Sequence, residues 1–213
     1  MLKDFLYIIG GGIMSSSLKF RFATMGSGKS AEIISVVKNY DDCGLEGLKL
    51  IPRKGAKSKE EISSRNGYAI KAKIVENDEN IFEFAKKEIE SGKDIKYVII
   101  DEAQFLTEEQ VWQVTDIVDY LDIDVLAYGI LTDSFTEFFP GSDLLMRVAD
   151  SRQELTVFKL CPVCGKKSVF NSRVVNGEMI KQGEQVAIKD ENDNVKYITV
   201  CRRCYKENKW KRD

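Results

Sequence analysis

The residues that most constrain the fold are 23–30, which read A-T-M-G-S-G-K-S. They match the G-x-x-x-x-G-K-[ST] phosphate loop at every fixed position except the first, where Ala23 replaces glycine. Gly26 and Gly28 let backbone N–H groups close around an anion, Lys29 reaches outer phosphates, and the Ser30 hydroxyl is placed to ligate Mg²⁺. The alternating run Leu18 to Phe22 precedes the loop as a strand. Ala31, Ile33, Ile34, Val37 and Tyr40 follow on one side of a helix that Gly44 can end. A strand that enters a glycine turn and leaves as a helix commits the chain to α/β architecture.

The same alternation continues downstream. Leu48 to Ile51 reads as a second strand. Pro52 to Asn66, rich in Lys, Ser and Glu without an apolar period, reads as a mobile loop. Helical spacing returns at Ile81, Phe84, Ala85 and Ile89, closed by Gly92. Tyr97 to Ile100 is a continuous apolar run, as expected of a strand covered on both faces. Thr107 and Gln110 form a capping box ahead of a helix with Val111, Val114, Val118 and Leu121 on one face, and Asp124 to Tyr128 is the next strand. Together these predict a parallel sheet flanked by helices over residues 18–155. Past about residue 155, glycines, cysteine pairs and short alternating runs replace the long helices, predicting a small second unit over 156–213.

Val98-Ile-Ile-Asp101-Glu102 ends a buried strand in two carboxylates, where ligands of open α/β sheets bind. Asp101 is expected to hold Mg²⁺, and Glu102 to accept a proton from an attacking hydroxyl. The chain has no histidine, so any base catalysis must use a carboxylate and any zinc must use thiolates. Cys161-Pro-Val-Cys164 and Cys201-Arg-Arg-Cys204 supply four thiolates, enough for a closed tetrahedral Zn²⁺ site, with 165–200 looped between them. Cys43 stands alone and is expected in a helix or the core.

With 32 basic and 34 acidic side chains, the net charge of -2 gives no general attraction to long nucleic acid. Phe5 to Met14 is too short for a membrane span, which needs about 20 apolar residues. Lys3-Asp4 and the lack of a small-residue cleavage site argue against a secretory signal, so residues 1–17 read as an extension, with Met14 a candidate start. Paired cysteines outside a disulfide pattern fit a reducing, cytoplasmic compartment.

Four segments in order carry a resemblance: L-K-F-R-F-A-T-M-G-S-G-K-S, V-I-I-D-E-A-Q-F-L, Y-G-I-L-T-D, and the late C-x-x-C with G-E-Q-V-A-I and K-Y-I-T-V-C-R-R-C-Y. From Leu18 to Lys206 the chain resembles the zinc-containing thymidine kinases of bacteria, phages and animal cytosol. The resemblance implies a P-loop domain plus a zinc-stapled lasso, ATP with Mg²⁺, a nucleoside substrate and a homotetramer. It assigns Ala23, Thr24, Met25, Gly26, Ser27, Gly28, Lys29, Ser30, Asp101 and Gln104 to ATP, Glu102 to the catalytic base, and Phe105 and Tyr197 to the nucleoside.

Three departures stand out. The family's Asp-x-Arg after the second strand is missing from I-P-R-K-G-A-K-S-K-E-E, leaving Arg53 and Arg65 as replacements for its phosphate-contacting arginine. An ungapped match puts Ser134 in the family's aromatic position, and a shift of one residue gives that substrate-binding role to Phe135. The lasso carries Lys189 to Asn194, K-D-E-N-D-N, in place of Gly-Gly. These changes bear on acceptor choice and turnover. They leave two further readings open, a kinase for another nucleoside and an ATP-binding module without turnover.

Overall fold

The computed structural model describes residues 16–56, 60–183 and 194–212. In chain order these form β1 (Leu18–Phe22), α1 (Lys29–Asp42), β2 (Glu46–Pro52), β3 (Glu61–Ser63), β4 (Ala69–Lys71), β5 (Lys73–Val75), α2 (Ile81–Glu90) and β6 (Ile95–Ile100). A single 3-10 turn at Ala103–Phe105 leads to α3 (Glu108–Leu121), β7 (Asp124–Gly129), α4 (Pro140–Val148) and β8 (Ser151–Glu154). The chain ends in β9 (Phe170–Val175), β10 (Glu178–Ile180), β11 (Val195–Val200) and α5 (Arg202–Lys206).

Six strands pair in the order β5-β2-β6-β7-β1-β8, every ladder parallel. Because side chains alternate along a strand, each inner strand feeds two cores. Val98 and Ile100 of β6, with Val125 and Ala127 of β7, face the layer of α2, α3 and α4. Tyr97, Ile99, Leu126 and Tyr128 face the other way, against Ile33 and Val37 of α1. The expected capping box is present: Gln110 N–H donates to Thr107 Oγ1, and Thr107 N–H to Gln110 Oε1.

The stretch from Pro52 to Asn66, expected to be a mobile loop, contains β3, which pairs antiparallel with β4. Ile62 is its anchor, 1% exposed in the α1-side core; burying one such side chain contributes on the order of 2 kcal/mol. A single isoleucine among charged neighbours shows no period, which is why the hairpin is invisible to pattern. Cys43 is neither within the helix nor in the core but is the exposed residue capping α1.

A second, antiparallel sheet, β10-β9-β11, stands over the β7–α4 side of the first. Residues 189–193 of the expected lasso lie outside the described residues, as does the apolar run Phe5 to Met14. Ser16 and Ser17 are tied down, to Val118 and Asp122 and to Asp124. Among the described residues no helix is long and apolar enough to cross a membrane.

Candidate active site

The parallel ladders bring the C-terminal ends of β1, β6 and β7 to one edge of the sheet, the side where such folds take ligands. At the end of β1 the chain turns through Gly26 (φ +74) and Gly28 (φ +84), left-handed conformations that favour glycine, and enters α1 at Lys29. Lys29 is buried and folds back, its Nζ donating to the carbonyls of Ala23 at 3.3 Å and Thr24 at 3.2 Å. Burial holds its pKa below the ordinary lysine value, against the pull of Glu102 and Asp101. An ammonium held, among the described residues, by two long carbonyl contacts is ready to exchange them for an anion.

Across the turn, Ser30 Oγ donates to Asp101 Oδ2 at 3.1 Å. Asp101 is 3% exposed at the end of β6, and burial, aided by the charge of Glu102, pushes its carboxyl up to about 6. A hydroxyl and an uncomfortable buried carboxylate facing the same turn fit a hard divalent cation, which prefers oxygen ligands and favours the charged form.

The backbone turns sharply at Glu102, a non-glycine residue in the left-handed region (φ 53, ψ 37). Strain of this kind persists where surrounding structure holds it in place. Here the holder is Gln104, buried, whose Oε1 accepts the N–H of Ile130 at 3.2 Å and whose Nε2 donates to Glu102 Oε2 at 2.6 Å. Gly55 completes the packing: a Cβ there would stand 2.5 Å from Glu102 Cβ.

Lys29, Ser30 and Glu102 open on one cavity of about 550 Å³, lined also by Met25, Phe105 and Tyr197, while Asp101 lines a separate, smaller pocket with Ser30 and Glu102. That volume is in the range of ligand sites. Phe105 packs edge-to-face on Phe139, centroids 5.5 Å apart, which fixes its ring at the wall. Tyr197 reaches the cavity from β11 of the second sheet.

Phe135 does not reach the wall. Asp133 Oδ1 accepts the N–H groups of Phe135 and Glu137, a turn that places the Phe135 ring beneath the guanidinium of Arg173, 4.9 Å away. Ser134 lines the cavity instead, 4% exposed, its hydroxyl without a hydrogen-bond partner among the described residues. Of the two candidate arginines, Arg53 turns outward to Glu76, Nε to Oε1 at 2.9 Å, while Arg65 lines the cavity.

Two residues of the site carried no signal in the sequence. Asn171 of β9 accepts the N–H of Met25 at 2.9 Å and donates to Thr132 O at 3.1 Å, clasping the second sheet to the glycine turn. A lone asparagine in a short strand has no motif to betray it. Gly55 had only its place in a charged stretch.

The four paired cysteines converge, their Sγ atoms all within 4.8 Å of one another. Cys164 and Cys201 are 3.5 Å apart, Cys204 and Cys164 3.7 Å. Tetrahedral Zn–S bonds of about 2.3 Å put sulfurs roughly 3.8 Å apart, so the set fits Zn²⁺. Burial pushes Cys161 up, but backbone N–H groups of Cys201, Cys164 and Val163 outweigh it and bring the thiol to about 7. Burial, with hydrogen bonds that its own thiol donates to the other three cysteines, drives Cys204 the opposite way. Four such sulfurs ionise together only around a cation.

Parallel-sheet proteins that gather a glycine turn, an acidic strand end and a ligand-sized cavity at one edge form a class of α/β phosphotransferases. The thymidine kinase family profile matches residues 16–205, and the chain belongs to that family. It is 38% identical over 198 residues to the thymidine kinase of Francisella tularensis subsp. holarctica (strain LVS), a match covering 90% of this chain and 98% of that one. The thymidine kinase of Enterobacteria phage T4 is 39% identical over 194 residues, covering 90% and 96%. That of Mannheimia succiniciproducens is 37% identical over 197, again covering 90% and 96%.

Proposed function

We propose that the protein transfers the γ-phosphoryl group of Mg·ATP to the 5′-hydroxyl of thymidine, giving thymidine monophosphate and ADP. One observation carries this reading: Lys29, Ser30 and Glu102 open on the same cavity, so a phosphate site and a carboxylate face one shared volume.

In this mechanism the N–H groups of the 23–30 turn and Lys29 bind the phosphates, Lys29 leaving the carbonyls of Ala23 and Thr24. Ser30 and Asp101 would hold Mg²⁺, which supplies charge neutralisation on the phosphates. Phe105 and Tyr197 frame the nucleoside. Glu102 takes the proton of the 5′-hydroxyl as that oxygen bonds to the γ-phosphorus and the bond to the β–γ bridging oxygen breaks. Gln104 holds one Glu102 oxygen, aiming the other at the acceptor.

Zn²⁺ held by Cys161, Cys164, Cys201 and Cys204 would be structural, with no open position. Assembly as a homotetramer and residence in the cytoplasm belong to the same proposal; light scattering should give about four times the 24.2 kDa chain. The decisive assay is label transfer from γ-labelled ATP to thymidine, with Glu102→Ala alongside. A parent that binds ATP but labels no thymidine, or an equally active variant, would overturn the reading.

The unpartnered Ser134 hydroxyl in the wall favours one second reading, an acceptor with a polar group beyond those of thymidine. A nucleoside panel separates the two: thymidine ranking below another deoxynucleoside selects the second.

A further inference from the structure

Among the described residues, two cations with no carboxylate partner face the glycine turn from opposite sides. Lys29 lies inside it. Arg65 lies over it, with Nη2 2.9 Å, Nη1 3.0 Å and Cζ 3.2 Å from the point where a Cβ on Gly26 would stand. The two terminal Nη groups of the guanidinium thus lean on Gly26, and only a residue without a side chain lets them come so close.

The placement is built. Arg65 occupies the turn between β3 and β4, closed by Ser64 N–H to Tyr68 O at 2.8 Å and Gly67 N–H to Ser64 O at 3.1 Å. Ile62 sinks into the core beside Ile33 and Val37 of α1. Lys38, also of α1, sits over the Tyr68 ring at 4.4 Å. The hairpin is therefore fastened to the same helix whose first turn is the phosphate loop, and its tip is held over that loop.

Among the described residues no carboxylate pairs with Arg65, and Lys29 feels Glu102 and Asp101 only through space. Arg65 is exposed, and its field adds to the burial that depresses Lys29, an arrangement of like charges that costs stability until an anion comes between them. Arg53 cannot serve, because Glu76 already pairs with it away from the cavity. Lys54 does line the cavity, but as a flexible point charge it lacks the planar fork that grips a phosphate through two N–H groups.

We propose that Arg65 is a phosphate ligand: its guanidinium, carried over Gly26 by the β3–β4 hairpin, binds the terminal phosphate of the nucleotide. It rests on the reading of 23–30 as the nucleotide site. The terminal phosphate is singled out because Arg65 shares its cavity with Glu102, the side from which an acceptor approaches. The family's Asp-x-Arg contact would thus come here from a different segment.

The test needs no nucleoside. Calorimetric titration of the full-length protein with Mg·ATP and with Mg·ADP is run on the parent, Arg65→Ala, Arg65→Lys, Arg53→Ala and Lys54→Ala. Arg65→Ala should weaken ATP about 10- to 100-fold and ADP less than about threefold, with Arg65→Lys between. Arg53→Ala should match the parent, and unchanged melting temperatures show that each variant folds. Arg65→Ala binding ATP as the parent does, losing ATP and ADP equally, or being surpassed in ATP selectivity by Lys54→Ala would each overturn the proposal. If the parent binds ATP selectively through Arg65 yet phosphorylates no thymidine, the acceptor reading fails and this one stands.

Discussion

The floor of the cavity comes from two contiguous runs, 23–30 and 101–105, delivered to one edge of the sheet by β1 and β6. Its rim is assembled from Gly55 and Arg65 on one stretch and from Asn171 and Tyr197 on two paired strands far along the chain. The floor is held by ladder hydrogen bonds and two hydrophobic cores, and its side chains follow from backbone geometry. The Asn171 and Tyr197 side of the rim depends on a three-stranded sheet whose described core is small, centred on Val200 and three of the clustered cysteines. On the proposed reading, phosphate chemistry belongs to the floor and acceptor choice to the Asn171 and Tyr197 side of the rim.

The largest test of this division is removal of the metal. Chelation, or Cys204→Ser, should release one Zn²⁺ per chain and abolish transfer to thymidine, because the rim loses a site whose formation is worth roughly 10 kcal/mol in small zinc units. ATP binding should stay within about threefold of the parent, since the floor keeps its own cores. Transfer that survives complete metal loss, measured with a zinc-binding dye, would merge the two regions into one.

Glu102→Gln should lower kcat about 10²- to 10⁴-fold with little change in ATP affinity, the expected loss for a general base. A rate that recovers at high pH would place the proton elsewhere. Gly55→Ala probes the joint between floor and rim. Its Cβ would meet Glu102 Cβ at 2.5 Å and the Phe105 ring at 3.3 Å, so the carboxylate must move. A displacement near 1 Å at a reacting group costs about 10- to 100-fold in kcat, and the melting temperature should barely change. Undiminished kcat would show the strand-end loop yielding more readily than the strained Glu102 turn implies.

Legibility followed the same division. β1, β6 and α3 could be read because their apolar periods and capping residues agree with burial on both sheet faces. β8 could not: Ser151, Arg152, Gln153 and Glu154 are all exposed, and the strand exists through its backbone pairing with β1 at the sheet edge. α4 was missed although Pro140 opens it, since the Phe-rich run before it masks the start. In the site, the phosphate loop, the acidic pair and the cysteines announced themselves by spacing. Asn171 acts through two hydrogen bonds and Gly55 through its lack of a side chain, and neither leaves a period. Phe135 and Ser134 could be told apart only by the turn that Asp133 imposes.

The smallest predicted effect separates what the floor does for function from what it does for stability. Asp101 titrates in the folded metal-free protein near 6 against an ordinary 3.8, so the folded state binds its proton more tightly than the unfolded chain does. Its contribution to stability is greatest below pH 3.8, falls as pH rises toward 6, and stays lost above that. Asp101→Asn removes a buried charge at pH 8 and should raise stability by on the order of 2 kcal/mol without metal, read as a higher melting temperature. The gain should shrink on acidification below pH 6, as the parent's own carboxyl becomes neutral. Adding Mg·ATP should reverse the ranking, stabilising the parent and not the variant, because only a carboxylate rewards the cation. A gain that persists unchanged at pH 5, or survives Mg·ATP, would mean that Asp101 is strained by packing and not by its charge, and the floor would lose its claim to be a metal site.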